Sequence, residues 1–266
     1  QMINSLAHRT TWLRSDLRMK KGVKASTIGK GIGCAVLLFL ALFPIYWLIA
    51  MAIRPTSEME GSVSLLPQSL TFEYFTDLFQ NEGFGQAILN SVQTTFGSLI
   101  ISLLAGICAA YVIARRRFKF GLKQPMTYWV LLIRVLPPVA FVIPLYIMFN
   151  QIGLINTKIP VLLACVLINV PLIIWFLLSF FQELPDEVEE SAKVDGATEW
   201  QLFYKIVLPL VAPGIAAVAM LSFMYAWNEY TYTVIFTRSS MNNTVPLALA
   251  LLNTEDSLTN FGLVAA

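Results

Sequence analysis

The sequence predicts an all-α protein, a polytopic membrane helical bundle, and three observations support this prediction. The chain of 266 residues is 57% hydrophobic and only 13% charged, about half the charged fraction of a soluble domain. The apolar residues gather in runs long enough to cross a bilayer, which takes about 20 residues per helix. The basic residues concentrate in a few of the segments outside these runs, as expected of segments retained in the cytoplasm.

Five apolar runs of spanning length follow a polar, basic tail at residues 1–30. The first run is too long for the core of a signal peptide and has no small-residue cleavage site after it, so we expect an uncleaved span. Residues 31–266 then form one membrane domain. The five complete spans are predicted at 31–53, 87–114, 125–149, 160–181 and 210–236.

The last residues, LTNFGLVAA, resemble the opening turns of a sixth span that is incomplete in this chain. A helix that crosses a bilayer needs about 20 residues, and a partial helix would leave unpaired carbonyls in the hydrocarbon. We therefore expect six spans, with about 20–30 residues beyond Ala266 in the full-length protein.

The distribution of basic residues predicts the topology. Three segments, at 1–30, 115–123 and 183–209, hold 14 of the 18 Lys and Arg residues. Basic loops remain in the cytoplasm, so the N-terminus and the loop at 182–209 are both predicted to be cytoplasmic.

Several kinds of chemistry are missing from the sequence. The only histidine, His8, lies in the basic tail, and Cys34, Cys108 and Cys165 each fall within an apolar run, where cysteine is usually a small buried hydrophobe. The chain has no GxxxxGK[ST] phosphate loop. We therefore predict no metal site, no cofactor and no nucleic-acid partner for this chain.

The cytoplasmic loop is unusually acidic and predicts two short helices around a glycine. Asp186 after Pro185 is a candidate N-cap with Glu189 three residues on, and acids in the first turn suit the helix dipole. Gly196 can end this helix in the left-handed conformation. Thr198 then caps a second helix, with Gln201 completing a capping box. The expected apolar stripe of the second helix comprises Trp200, Phe203, Ile206 and Val207.

Small residues flank this elbow, and Ser191, Ala192 and Ala197 would allow another backbone to approach closely. Composition alone leaves open a second interpretation, an amphipathic loop on the membrane surface with solvated acids. The order of the residues favours a docking role, because E-S-A-x-x-D-G-A resembles the EAA loop of bacterial ABC-importer permeases. The matching positions are Glu190, Ala192, Asp195, Gly196, Ala197, Phe203, Ile206, Leu208 and Pro209.

The resemblance implies a fold similar to that of ABC type I importer permeases, with a coupling loop at 182–209. In that family the loop inserts into a cleft on the ATP-hydrolysing subunit. Ser191 stands where the family usually has alanine, a change between small residues. The resemblance also implies that ATP and Mg are bound by partner subunits and that this chain is not itself an enzyme.

Further matches resemble carbohydrate-uptake permeases of the maltose-transporter type. They are RPTSE from Arg54, LNS from Leu89, AAYVIAR from Ala109, GLINT from Gly153 and AWNEY from Ala226. This resemblance implies a multi-pass protein of the bacterial inner membrane that translocates a sugar delivered by a periplasmic binding protein. It also implies two cytoplasmic ATP-binding subunits and a second permease subunit, with a heterodimeric membrane core.

Two other transport functions compete with this one. An ABC permease for a non-sugar solute stays open, because the sugar matches are short and distributed. An ion-coupled secondary transporter would need several buried carboxylates, and Glu229 is the only acid in any predicted span.

Polar residues at membrane depth are candidates for the solute path. In span five, Trp227, Asn228, Glu229 and Tyr230 combine aromatic rings with an amide and a carboxylate, a mixture that suits sugars. An aromatic belt at the outer interface would explain the tyrosines equally well.

Two further candidates lie in other spans. Asn169 precedes Pro171 in span four, where solute contact and helix packing are both open. Arg134, in span three, either lines the path, snorkels or pairs with an acid of a neighbouring subunit.

Overall fold

The computed structural model describes residues 29–59, 64–115, 123–252 and 261–266. Throughout these ranges the chain forms helices and connecting turns without a strand, which confirms the all-α prediction. Three parts of the predicted segments lie outside the described residues: 1–28 of the tail, 116–122 of the basic loop and 258–260 of the final run.

The chain divides into two compact units, Gln1–Phe75 with Leu258–Ala266, and Thr76–Ser257. The helices, numbered in chain order, are α1 Gly29–Ala52, α2 Glu73–Gln80, α3 Phe84–Arg115, α4 Lys123–Val135, α5 Val142–Gln151, α6 Ile159–Glu183, α7 Asp186–Val194, α8 Glu199–Leu210, α9 Ala212–Trp227, α10 Thr231–Phe236, α11 Val245–Leu252 and α12 Phe261–Ala265. The segment EYFTDLFQ after the first span forms α2. The segment VPLALALL forms α11.

Three of these helices, α1, α3 and α6, are each apolar and long enough to cross a membrane. Two bent pairs, Gln124–Val135 with Pro138–Gln151 and Glu199–Leu210 with Ala212–Trp227, raise the number of candidates among the described residues to five if each pair is one span. The predicted third span, 125–149, is bent: its two halves meet at 97° near Leu136-Pro137-Pro138, where proline removes a backbone donor and restricts the preceding residue.

The fifth predicted span, 210–236, is also broken. The axis of α8 meets that of α9 at 73° next to Val211, and α9 ends at Trp227 before α10 begins at Thr231. Asn228 closes α9, because its backbone N–H donates to the carbonyls of Met224 and Ala226. Only α12, five residues long, is described in the region of the expected sixth span.

The core of the second unit is the packing of α3 along α6, with α9 against both. Glycine permits the closest approach: a Cβ at Gly106 would lie 2.6 Å from Cγ2 of Ile173 and 2.8 Å from its Cβ. Small residues commonly permit such contacts between membrane helices. The cluster around this contact extends to Phe181, Ala192 and Val207, so the spans and the predicted cytoplasmic loop share one core.

The RPTSE segment organises the chain just after α1. Arg54 is fully buried and donates from Nη2 to the Ser64 carbonyl at 2.7 Å. The Glu58 carboxylate accepts from the backbone N–H groups of Gln68 and Ser69, at 3.0 and 2.8 Å, and from the Ser69 hydroxyl. The Ser69 hydroxyl, and next the Gln68 N–H, lower the pKa of Glu58 below its usual value.

The LNS and GLINT segments hold the loop that follows α10. Asn90 of α3 donates from Nδ2 to the carbonyls of Met241 and Asn243 at 2.8 and 2.9 Å. Asn156 adopts φ 64°, which asparagine tolerates better than most residues. Its Oδ1 accepts from the backbone N–H groups of Arg238 and Ser239. Both segments therefore have a structural role in the loop at 237–244.

Candidate functional site

The elbow, Asp186–Leu210, turns at a glycine in the left-handed conformation. Gly196 has φ +83°. Its N–H donates to the Lys193 carbonyl at 3.1 Å, and the N–H of Ala197 donates to the Ala192 carbonyl at 3.0 Å. This pair of bonds is the Schellman arrangement that closes a helix C-terminus. The predicted helix end at Gly196 is confirmed.

The second helix of the elbow begins with the predicted capping box. The Gln201 N–H donates to Thr198 Oγ1 at 3.3 Å, and the Thr198 N–H donates to Gln201 Oε1 at 2.9 Å. The next six residues, Leu202–Val207, are π-helical. Leu202 at the start of this segment is buried, while Trp200, in the α-helical turn before it, is 73% exposed. Trp200 is therefore not part of the buried face predicted for this helix.

The start of the first elbow helix differs from the prediction. Pro185, in an extended conformation, occupies the N-cap, and Asp186 is the first helical residue without a side-chain capping bond. The acids face a cation instead. Arg115 contacts Asp186 Oδ1 from Nη1 at 2.9 Å and Glu189 Oε1 from Nε at 2.6 Å. Contacts between a guanidinium and a carboxylate are short, charge-assisted hydrogen bonds.

The predicted coupling residues divide by exposure. Glu190, Asp195, Gly196 and Pro209 are exposed, whereas Ala192 is buried in the core of the chain itself. The small size of Ala192 therefore serves packing within this chain, whereas the sequence suggested that it allows the approach of another backbone. Four others are half-buried: Ala197, Phe203, Ile206 and Leu208.

Two residues of the elbow region escaped sequence reasoning. Val194 is 86% exposed at the end of α7, and the only sequence signal was a hydrophobe beside the predicted turn. In the sequence, Arg115 is one of the basic residues that predict the topology. No local feature indicates that it pairs with acids about 70 positions later. The exposed face of the elbow thus combines Glu190, Val194 and Asp195.

A cavity of about 90 Å³, with both polar and apolar side chains in its lining, lies where the broken helices meet. It brings together three predicted residues, Arg134, Asn169 and Glu229, each from a different predicted span. Arg134 donates from Nη2 to the Tyr225 hydroxyl at 3.2 Å and lies 5.2 Å from the centre of that ring. The remaining lining residues are Pro138, Cys165, Ile168, Tyr225 and Ala226.

Hydrogen-bonding capacity remains unused beside this cavity. Asn169 is buried and donates from Nδ2 to the Ser222 carbonyl at 3.3 Å. Among the described residues, neither Asn169 Oδ1 nor Ser222 Oγ has a hydrogen-bond partner. Unpaired buried polar atoms are costly, so these atoms favour a polar occupant, water or solute.

The other predicted path residues lie outside the cavity lining. Trp227 is half-buried and stacks on Phe223 with ring centres 5.7 Å apart. Asn228 is exposed and donates from Nδ2 to the Met224 carbonyl at 2.8 Å, and Tyr230 is exposed. Glu229 lines the cavity and also accepts from the Tyr232 N–H at 2.6 Å. The structure therefore separates the cluster that the sequence placed together.

The fold and this cavity define a class of protein. Discontinuous membrane helices that meet around polar side chains are the common construction of transporter sites. The profile of the family described as "binding-protein-dependent transport system inner membrane component" matches residues 102–266, which include the elbow and all three polar lining residues. The chain belongs to this family and is a multi-pass inner-membrane permease.

Individual relatives agree with the family match. A trehalose transport system permease protein of Mycobacterium tuberculosis is 34% identical over 210 residues, 79% of this chain and 76% of the relative. A diacetylchitobiose uptake system permease protein of Streptomyces coelicolor is 32% identical over 83% of this chain and 80% of its own length. The predicted resemblance to ABC-importer permeases is thereby confirmed, and in this family the ATPase activity belongs to separate subunits.

A solved structure shares the fold. A chain of a bacterial ABC transporter involved in the import of the acidic polysaccharide alginate superposes with a TM-score of 0.75 at 18% identity. The match covers 91% of this chain and 90% of that one. It supports the type of fold predicted from the EAA-like loop.

Proposed function

We propose that this chain is a membrane-spanning subunit of an ATP-driven importer that translocates a sugar delivered by a periplasmic binding protein. The observation that carries the proposal is the elbow. Its glycine at φ +83° leaves Glu190, Val194 and Asp195 exposed at the turn, while Ala192 and Val207 anchor both arms in the core of the spans. A turn that is exposed at its tip and packed into the core at both arms can transmit the movement of a separate ATPase subunit to the spans.

The proposed assembly follows the distribution of charge and the family. Residues 1–30 form a cytoplasmic tail, residues 31–266 form the permease domain, and the basic loops hold the elbow on the cytoplasmic side. Two cytoplasmic subunits would bind ATP and Mg and dock on the elbow. A second, different permease subunit would complete the membrane core. The elbow positions Glu190, Asp195, Gly196 and Pro209 are exposed and can contact such a subunit directly.

The polar side chains in the cavity lining are suited to contact a neutral, hydroxyl-rich solute. Arg134, Asn169 and Glu229 offer donors and acceptors, and Tyr225 offers a ring for a C–H face. One cation and one acid line the same space, so the cavity does not favour a strongly charged solute. The relatives named for trehalose and diacetylchitobiose transport point to the same solute class.

A purification experiment tests the proposal. The tagged chain, expressed with its genomic neighbours, is purified from membranes and examined for a copurifying ATPase. The complex is then reconstituted with its binding protein, and ATP hydrolysis is measured with trehalose, chitobiose and maltose, and with amino acids in parallel. We expect stimulation by one sugar-loaded binding protein. Stimulation by an amino acid alone would replace the sugar assignment, and a chain that purifies without any ATPase would refute the importer.

A further inference from the structure

Arg115, the last residue of α3 and of the AAYVIAR segment, joins three parts of the chain. It contacts Glu189 and Asp186 of α7, as described above, and donates from Nη1 to the Leu184 carbonyl at 3.0 Å. Leu184 is the residue that follows α6. One guanidinium therefore connects the cytoplasmic ends of α3 and α6 to the first turn of the elbow.

The two carboxylates contribute unequally to this connection. The Arg115 side chain is 8% exposed and that of Glu189 is 13% exposed, whereas that of Asp186 is 82% exposed. Exposed ion pairs contribute little because water screens them. In a buried pair, the loss of one partner leaves an uncompensated charge. The contact with Glu189 is thus the one that fixes α7.

The rest of α7 packs only weakly against the membrane helices. Within α7, Ala192 is the one buried residue, and it lies in the last turn. At the first turn, Arg115 is the attachment. The opposite end of the connection is stiff, because α3 and α6 meet at glycines, with Gly106 against Ile173 and Gly97 against Leu162.

We propose that Arg115 is a positioning residue that makes the elbow move as one body with the α3–α6 pair. This inference rests on the proposed function, since it assigns the path by which force on the elbow reaches the spans. Without the guanidinium, α7 would rotate about Ala192. Movement of the ATPase subunits would then displace the elbow without moving α3 and α6. The expected result is ATP hydrolysis that no longer drives uptake.

Transport stoichiometry in the reconstituted complex is the first test. Arg115→Gln should lower the ratio of sugar taken up to ATP hydrolysed at least about tenfold while the ATPase subunits remain bound. Asp186→Asn is the matched control, because it removes the exposed partner of the same guanidinium, and its ratio should stay within about twofold of wild type. An unchanged ratio in Arg115→Gln, including a parallel loss of uptake and hydrolysis, would overturn the proposal.

A distance measurement tests the rigid attachment directly. Spin labels are placed at the exposed positions Val112 of α3 and Glu187 of α7, with the exposed Cys34 and Cys108 replaced by alanine. The wild-type complex should give one narrow distance with and without ATP. Arg115→Lys keeps the charge but loses the planar fork, and it should broaden the distribution.

Identical distributions of the label distance in wild type and Arg115→Lys would overturn the assignment of Arg115 and leave the proposed function unaffected. Conversely, a wild-type complex in which hydrolysis never drives uptake would refute the proposed function. The label distances would then still report whether Arg115 fixes α7. The two failures are therefore distinguishable.

Discussion

The Tyr232 hydroxyl donates a hydrogen bond to the Pro138 carbonyl at 2.7 Å. Pro138 lies at the break between α4 and α5, and Tyr232 lies in the first turn of α10, just after the break that ends α9. The bond therefore joins the two broken segments beside the cavity. A carbonyl released where a helix is interrupted needs such a partner within the membrane.

Replacing Tyr232 with phenylalanine should loosen this junction. Tyr232 is fully buried, and the change leaves the Pro138 carbonyl without its donor. We expect a loss of about 1 kcal/mol in the free energy of unfolding, since hydrogen bonds between membrane helices contribute about 0.6–2 kcal/mol. Denaturant titration in mixed micelles measures it. Tyr204→Phe is the control, because Tyr204 is exposed, and equal stability of the two variants would contradict the prediction.

Gly196→Val should uncouple transport while leaving the chain inserted. A β-branched residue at φ +83° costs roughly 1–3 kcal/mol of strain, so the turn would reorganise. Uptake should fall more than about tenfold on this scale, and substrate-stimulated ATPase activity should fall with it. Gly196→Asn is the matched control, because asparagine tolerates the left-handed region. Wild-type uptake in Gly196→Val would remove the elbow from the coupling path.

Glu190→Lys tests the docking surface without disturbing the turn. Glu190 is exposed, so a change of its charge should leave the packing of the elbow intact. Reversal of its charge should weaken retention of the ATPase subunits, most clearly at low salt. Copurification at two salt concentrations measures the effect, with Glu190→Gln as an intermediate case. Full retention of the ATPase by the lysine variant would argue against contact at this position.

Asn169→Leu should raise the KM for uptake. The amide has an unused oxygen beside the cavity, and a lost hydrogen bond to solute of about 1–1.5 kcal/mol corresponds to about a tenfold change. Uptake kinetics and size-exclusion chromatography of the complex are measured together. Trp227→Phe keeps the stack on Phe223 and should leave KM unchanged. If both variants match wild type, Asn169 serves packing between α6 and α9.

The α3–α6 contact predicts different outcomes for two glycines. Alanine at Gly106 would meet Ile173 at its branched Cβ, 2.8 Å away, whereas alanine at Gly97 would meet the flexible end of Leu162. Overpacking costs about 1–3 kcal/mol, and alanine recovers about 1 kcal/mol of helix propensity. Gly106→Ala should therefore lower the Tm, and Gly97→Ala should change it little. A lower Tm for Gly97→Ala alone would contradict this order.

The sequence alone determined the membrane class, the positions of the five apolar segments and the elbow. These features are local: a span is a run of apolar residues, a capping box joins Thr198 to Gln201, and a left-handed turn needs a residue such as Gly196. The resemblance carried by the E-S-A-x-x-D-G-A order was also readable in one short stretch, and the family match agrees with it.

Only the tertiary structure decided which residues meet. Arg115 and Glu189 are 74 positions apart, and neither periodicity nor capping rules specify that pairing. Arg134, Asn169 and Glu229 come together where the chain breaks at Pro137 and Asn228, and the predicted span bounds did not specify these breaks. Ala192 faces inward because α7 rests on the core. Contacts distant in sequence depend on packing, and packing is a property of the whole fold.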